Sequence, residues 1–386
     1  MLKAHYRRFL EARPGRLHFA AHSHHPWPDV TRTAVLQCWD DAARLADRKW
    51  DHILGEVVPK AQAHLAGLLG TSAPGQIAFA ANTHDFVVRL LSCFEEGRQL
   101  RLLTTDGEFY SFARQAARLE ESPRVRISRV AVEPFATFDA RFARAAEGEV
   151  FDLVYLSHVF FNSGFVAADL VGLVGALRNR EAMVVVDGYH AVGVFPVALA
   201  PLEGRVFYLG GGYKYLQAGE GLGFLHVPGG CALRPVVTGW FSQFGALTAK
   251  PSGRVDYPED GFRFWGATWD PTPAYRFNAV MDLWQREGVT PERVHQHARR
   301  LQRRFLEGLE GDPPRALDAK ALVTPRDLAR QGHFLTFRFG GAADLHAALR
   351  AREVETDLRG DRIRFGFGPY QDQADVDSLL ERLGGV

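Results

Sequence analysis

Between residues 77 and 227, short apolar runs alternate with segments of helical spacing, and this alternation constrains the fold more than any other feature of the chain. The runs lie at 77–80, 100–103, 124–130, 154–156, 183–186, 206–209 and 222–227. The segments around 109–120, 138–146 and 169–178 repeat their apolar residues at helical intervals. Strands that are apolar throughout need cover on both faces, and intervening helices supply it. The expectation is an α/β domain with a mainly parallel seven-stranded sheet covered by helices. The last two runs leave no room for a helix between them and are expected to be antiparallel neighbours near one edge.

Ahead of this region, residues 31–54 place Val35, Cys38, Trp39, Ala42, Leu45, Ala46, Trp50 and Ile53 on one side of a long amphipathic helix. A second helix is expected over 59–69, with Pro59 in its first turn and Gly70 as its stop. After Pro228 the chain becomes irregular and aromatic, with Trp240, Phe241, Phe244, Tyr257, Phe262, Phe264, Trp265 and Trp269. A long stretch without regular structure is functional or disordered, and the aromatic content argues against disorder. Helix resumes over 274–308. It is followed by strand (333–339), helix (342–350), strands (354–357 and 362–367) and helix (373–383), a smaller α+β domain. The expected division is an N-terminal segment 1–30, a large domain 31–273 and a small domain 274–386.

Composition narrows the function classes. At 46% hydrophobic and 24% charged, the 386 residues read as ordinary globular protein. The net charge of +1, from 46 basic and 45 acidic side chains mixed along the chain, argues against a nucleic-acid or membrane surface as the main partner. No apolar stretch reaches the roughly 18 residues of a membrane span, and the N-terminus lacks a secretory pattern. Cys38, Cys93 and Cys231 are odd in number, far apart and form no C-x-x-C pair, which fits a reducing compartment such as the cytoplasm. Small molecules and other copies of the chain are the expected partners.

Two strand ends carry the candidate chemistry. Asp187 closes the run in VVVDGYHAVG, and Lys214 follows the next run in FYLGGGYKYLQAGEGLG. Ligands of parallel sheets collect at the carboxyl ends of strands, so both side chains are expected in one crevice. An amine nucleophile beside a buried carboxylate is what pyridoxal 5'-phosphate (PLP) requires. The lysine joins its aldehyde as a Schiff base, and the carboxylate keeps the pyridine nitrogen protonated so that the ring can withdraw electrons. Taken singly, the aspartate could be a cap and the lysine could snorkel to solvent; together they point to the cofactor. Glycines 210–212 would permit a tight turn or close approach of a flat ring. In FAANTHDFVVRL a strand runs into a helix at Asn82, Thr83 and His84, whose exposed amides suit an anion and serve equally in a plain N-cap.

The segments YLSHVFFNSG, DGYHAVG and GYKYLQAGEG resemble, in order and spacing, those of the class V aminotransferase group of fold-type I PLP enzymes, and within it kynureninase. The resemblance spans nearly the whole chain and is strongest over 151–226. It implies a PLP fold type I, with Lys214 as the Schiff-base lysine, Asp187 on the pyridine nitrogen and His190 in support. Thr83 and His84 would hold the phosphate, and Phe109 would stack on the ring. Tyr213 would contact phosphate and could donate a proton. Arg364, in DRIRFGFGPYQDQADV, would grip the substrate α-carboxylate, as a guanidinium fork can, with Arg362 close enough in sequence to be mistaken for it. Trp240 in VTGWF and Thr268 in GATWDP would reach a neighbour's phosphate across a homodimer interface. His22 and Ser23 in FAAHSHHPWPDV would border the substrate, which makes segment 1–30 part of the active-site rim. His22, His24 and His25 lack companions at ligand spacing, and no metal is expected.

Two departures concern the substrate end. Phe112 replaces the aspartate of the family's F-P-T-D, and GATWDPTP lacks its S-N-P-P. The resemblance implies hydrolysis of the Cβ–Cγ bond of kynurenine or a related γ-keto amino acid, releasing alanine. An aminotransferase or β-lyase of the same group, or a PLP-fold regulator without catalysis, are the alternatives.

Overall fold

The computed structural model describes residues 1–246, 253–311 and 316–385. The chain begins with a short helix α1 (Arg7–Glu11) and a two-residue strand β1 (Leu17–His18). In place of one helix over 31–54, α2 (Val30–Leu45) stops where Ala46 takes φ +49°; short helical turns, including α3 (Lys49–His52), lead to α4 (Val58–Leu69). A residue with a Cβ in the left-handed region cannot continue a right-handed helix. The buried side of α2 also differs from the expected one. It carries Thr31, Ala34 and Asp41, while Trp39 is 70% exposed and Val35 and Leu36 also face outward. Asp41 turns inward because Gln37, Arg44 and Tyr275 all donate to its carboxylate. α4 ends at Gly70, whose φ of +66° makes the expected left-handed cap.

The apolar runs become β2 (Ile77–Ala80), β3 (Leu100–Thr105), β4 (Val125–Val130), β5 (Leu153–Ser157), β6 (Met183–Asp187), β7 (Phe207–Gly211) and β8 (Gly223–His226). They form one seven-stranded sheet in the order β2-β8-β7-β6-β5-β3-β4. Pairing is parallel from β4 through to β7, and β8 runs antiparallel to both β7 and the edge strand β2. Helices α5 (Thr83–Leu91), α6 (Tyr110–Glu120), α7 (Phe138–Gly148) and α8 (Leu170–Gly175) lie between strands. Residues of β2, β5, β6, β7 and β8 are buried throughout, as continuously apolar strands require. The chain steps outward from β3 to β4 and then returns past β3 to β5. Strand order therefore reverses between β3 and β5, the place where open α/β sheets bind ligands. These two strands pair only at Leu102–Leu153 and Leu103–Val154, so their carboxyl ends part.

The aromatic stretch after Pro228 is a packed cover. Phe241, Phe264 and Trp265 are buried in the core of the sheet, Trp265 stacks on Phe262 at 4.7 Å, and Trp269 stacks on Phe79 at 5.9 Å. Residues 247–252 and the side chain of Phe244 lie outside the described residues.

The expected helix over 274–308 is two helices, α9 (Thr272–Arg286) and α10 (Pro291–Gly311), separated at Gly288 with φ +59°. α9 shares the core of the sheet, whereas α10 packs into a second core with β9 (Phe334–Arg338) and α11 (Ala342–Ala351). The strand expected over 354–357 is divided at Thr356, whose hydroxyl meets His346 Nδ1 at 2.8 Å. On one side β10 (Val354–Glu355) pairs in parallel with β1; on the other, β11 (Asp357–Arg359) pairs with β12 (Arg362–Gly366), which pairs with β9. The closing helix α12 (Gln373–Gly384) starts with a capping box at Asp372 and Asp375. Among the described residues no helix is long and apolar enough to cross a membrane.

Candidate active site

Asp187 is the last residue of β6. Its carboxylate accepts the Tyr155 hydroxyl at 3.0 Å and the Tyr189 N–H at 2.9 Å. Burial raises its pKa, against the Tyr189 N–H, the Lys214 charge and Tyr155. Lys214 follows β7, and its Nζ lies 2.8 Å from His190 Nε2. The rings of Tyr189, Phe109 and Tyr213 surround the same amine at 4.6, 5.3 and 5.5 Å from their centroids. Burial lowers Lys214 to about 7, more than Asp187 can offset, so much of it is a neutral, nucleophilic amine near neutral pH. His190 is held neutral by its burial and then by the Lys214 and Arg364 charges. An ammonium can only donate, so when Lys214 is charged His190 accepts at Nε2 and carries its own proton on Nδ1.

These groups face a cavity of about 400 Å³, within the size range of small-molecule sites. Asn82 Oδ1 caps α5 by accepting the Asp85 N–H at 3.1 Å. Thr83 and His84, the first residues of that helix, line the cavity where N–H groups lack intrahelical partners. Phe109 lines it from the N-cap position of α6, edge-on to Phe161 at 5.3 Å. Glycines 210–212 have another reason than a turn. A Cβ on Gly211 would fall 2.2 Å from Tyr189 Oη and one on Gly210 would fall 2.7 Å from Phe224, so they admit aromatic walls. The residues present fit PLP: a buried carboxylate for a ring nitrogen, a flat aromatic face, a helix N-terminus for phosphate and a partly neutral amine.

Other sequence-derived candidates lie away from this cavity. Arg364 is buried behind it. Its Nε and Nη2 donate to Asp357 at 3.1 and 2.6 Å, and its Nη1 donates to the Phe161 carbonyl at 2.5 Å. Arg362 points to Glu133 and the Asn162 carbonyl, so of the two it is Arg364 whose charge reaches Lys214. His22 is buried with neither ring nitrogen bonded, stacked on Phe334 at 4.5 Å; Phe334 also meets His190 at 5.4 Å. Ser23 is half-buried, its Oγ 3.4 Å from His24 Nδ1, and His25 turns its Nδ1 to the Pro26 carbonyl at 2.7 Å. The N-terminal segment still touches the site, because the His25 N–H donates to the Tyr213 carbonyl at 3.1 Å. Trp240 Nε1 donates to Thr268 Oγ1 at 3.3 Å, and within this chain neither lines the cavity.

Phe112 is not among the residues that line the cavity. It is buried and lies face to face on Tyr155, centroids 3.5 Å apart, supporting the ring whose hydroxyl holds Asp187; Ser111 is the cavity-lining neighbour. Restoring the family's residue with Phe112→Asp is therefore expected to destabilise the protein. A cost of about 3–5 kcal/mol for losing a buried phenyl group, plus that of a buried carboxylate, should appear as a lower midpoint in chemical denaturation. An unchanged midpoint would contradict this packing.

Several residues of the site have no role implied by the motifs. Tyr189 walls the amine and Tyr155 braces Asp187. Arg359 bonds the second oxygen of Asp357 at 3.2 Å, and Ser157 sits in the cavity floor. Tyr155 and Ser157 alternate toward the end of an apolar run, a signal that was there to be used.

Residues 294–383 match the kynureninase C-terminal domain. The chain is 31% identical over 209 residues to isopenicillin N epimerase from Amycolatopsis lactamdurans. That match covers 51% of this chain and 52% of the relative, so it spans about half of that protein's length. Kynureninase from Salinispora tropica is 29% identical over 364 residues, covering 88% of this chain and 82% of the relative. A variant of the cystine C–S lyase C-DES, solved with glycine covalently linked to its PLP cofactor, has the same fold at 22% identity. Its TM-score is 0.82, over 98% of each chain. With its mainly parallel seven-stranded sheet, the chain has the fold of that PLP-dependent lyase, and it is similar to kynureninase over most of its length and in its C-terminal domain.

Proposed function

We propose that this protein is a PLP-dependent hydrolase that cleaves the Cβ–Cγ bond of kynurenine or a related γ-keto amino acid to release alanine. The observation that carries this reading is the convergence of Lys214, Asp187, Phe109 and the N-terminus of α5 on one cavity, in a chain that ends in a kynureninase-type domain. When bound, PLP supplies an aldehyde that links amines and a ring that draws electrons from bonds at Cα.

Lys214 is the attachment point. Once the substrate amine has displaced it, its Nζ is the base that moves the Cα proton, with His190 Nε2 at 2.8 Å steering it. Asp187 holds the ring nitrogen, Phe109 excludes water from one face, and Thr83 and His84 receive the phosphate. Tyr213, raised to about 12 by burial, keeps its proton at neutral pH and can donate it from Oη to the substrate after water adds to the γ-ketone. Arg364 retains one free N–H on each Nη for the α-carboxylate, and His22 and Ser23 border the same end. The protein is proposed to act as a cytoplasmic homodimer, with Trp240 and Thr268 presented to the neighbouring subunit. The outward-facing Trp39, Leu36 and Val35 on α2, together with Trp240, which is 42% exposed, support such a face.

The matches to isopenicillin N epimerase favour a second reading, inversion at Cα, which shares every role above except Tyr213 as acid. Incubation of PLP-loaded protein with kynurenine in deuterated water separates the two. Anthranilate and alanine are expected under the first reading. Deuterium at Cα without anthranilate would overturn it in favour of the second.

A further inference from the structure

One buried carboxyl has no part in these roles. Glu108 follows β3 and fills the gap where β3 and β5 separate. Its Oε1 accepts the Thr105 hydroxyl at 2.7 Å and the Ser157 N–H at 3.2 Å, and its Oε2 lies 2.5 Å from Ser157 Oγ. The backbone N–H that a continued β3–β5 ladder would have bonded is thus taken by a side chain. Ser157 in turn pairs in register with Asp187 and lines the cavity. Glu108 is 4% exposed. Asp187 on β6 is the charged group near it; Tyr155 on β5 also feels its charge, and Thr105 on β3 and Ser157 on β5 bond it directly. Burial raises Glu108 to about 8, beyond what the hydrogen bonds from Ser157 and Thr105 can hold down, and Asp187 pushes it the same way.

A serine hydroxyl has one hydrogen and a carboxylate has none. We propose that Glu108 is a positioning residue that acts through Ser157 to set the hydrogen-bonding sense of the cavity floor. Protonated, Glu108 donates from Oε2 to Ser157 Oγ, and the serine hydrogen is free to point at an acceptor atom of the bound ligand. Ionised, Glu108 draws that hydrogen to itself and Ser157 shows the ligand only lone pairs. A single buried charge near Asp187 is also easier to accommodate than two, which favours the protonated form while Asp187 is ionised. The proposal rests on the reading of this cavity as a PLP site.

Infrared spectra of the ligand-free protein should contain a protonated-carboxyl band that fades as pH rises through about 8 and is missing from Glu108→Gln. Absence of that band from the wild-type protein overturns the proposal. Fluorescence titration with PLP tests the coupling. The amide of Glu108→Gln donates to Ser157 Oγ at every pH, so the wild-type Kd divided by the variant Kd should rise several-fold as pH passes about 8. Lys214 titrates in both proteins and cancels in this ratio. In a Ser157→Ala background, Glu108→Gln should give a ratio that does not change with pH. A flat ratio with Ser157 present, or a pH-dependent ratio without it, overturns the role. If wild-type protein fails to bind PLP at any pH, the cofactor reading and the ligand-facing half of this proposal both fall, while the infrared band still decides the protonation of Glu108.

Discussion

Replacing Lys214 with alanine is expected to remove the visible absorbance of PLP-loaded protein and to abolish turnover. The loss should exceed the roughly 10²–10⁴-fold typical of removing one proton-transfer group, because under the proposed function the same amine both attaches the cofactor and moves the Cα proton. Thermal unfolding should change little, since the cost of burying that amine's charge exceeds what the attraction of Asp187 offsets. The pH dependence carries a sign. Burial lowers Lys214 from 10.5 to about 7, so the neutral fraction grows as pH rises through about 7 and is nearly complete above it. The rate of PLP attachment to wild-type protein should climb over that range and then level off. A rate still climbing toward pH 10.5 would mean that the amine titrates as it does in water, and a band that survives in Lys214→Ala would place the attachment elsewhere.

Arg364→Ala should produce a large loss of stability. The guanidinium side chain is 3% exposed and that of its partner Asp357 is 9% exposed; they face each other as cross-strand partners on β12 and β11. Removing one member of a buried pair strands the other, at a cost of about 3–5 kcal/mol. Arg359 remains within 3.2 Å of the other Asp357 oxygen and should hold the loss toward the lower end of that range. The measurement is the denaturation midpoint of Arg364→Ala beside that of Asp357→Asn/Arg364→Met. The double variant removes the charge from both partners and should recover much of the loss while still failing to bind substrate. If it recovers binding too, Arg364 has no part in holding the α-carboxylate.

Much of this was legible from the sequence because the features concerned are local or periodic. Five of the seven short runs become strands buried throughout, which requires a sheet covered on both faces, and residues at or just beyond strand ends, Asp187 and Lys214, share a crevice. What escaped depends on contacts between distant segments. The inward turn of α2 follows from Asp41 meeting Tyr275, far along the chain, and no helical wheel contains that contact. Phe112 sits one turn beyond the stacking Phe109, which suggests a place beside substrate, but its ring is buried face to face on Tyr155, a contact with a distant strand. Glu108 lies beside Phe109 in sequence, yet no local pattern marks it. Its importance comes from the gap between β3 and β5, which exists only once strand order is known. Arg364 was recognisable as an arginine near the site, but the company of Asp357 and the Phe161 carbonyl was not.

The pairing of β1 with β10 bears on the order in which the molecule can assemble. Leu17 and His18 lie against Val354 and Glu355, the Phe19 carbonyl accepts the Gly366 N–H, and a few residues later the His25 N–H reaches the turn that holds Lys214. During synthesis the early segment therefore waits, without its strand partners, until residues 353–366 have emerged. Closing so long a loop is slow but costs little more than closing one of half the length. The sheet and its crevice can form first, and the rim that tethers the Lys214 turn is laid down last, so a ribosome-bound chain would hold a nearly finished pocket still open on that side.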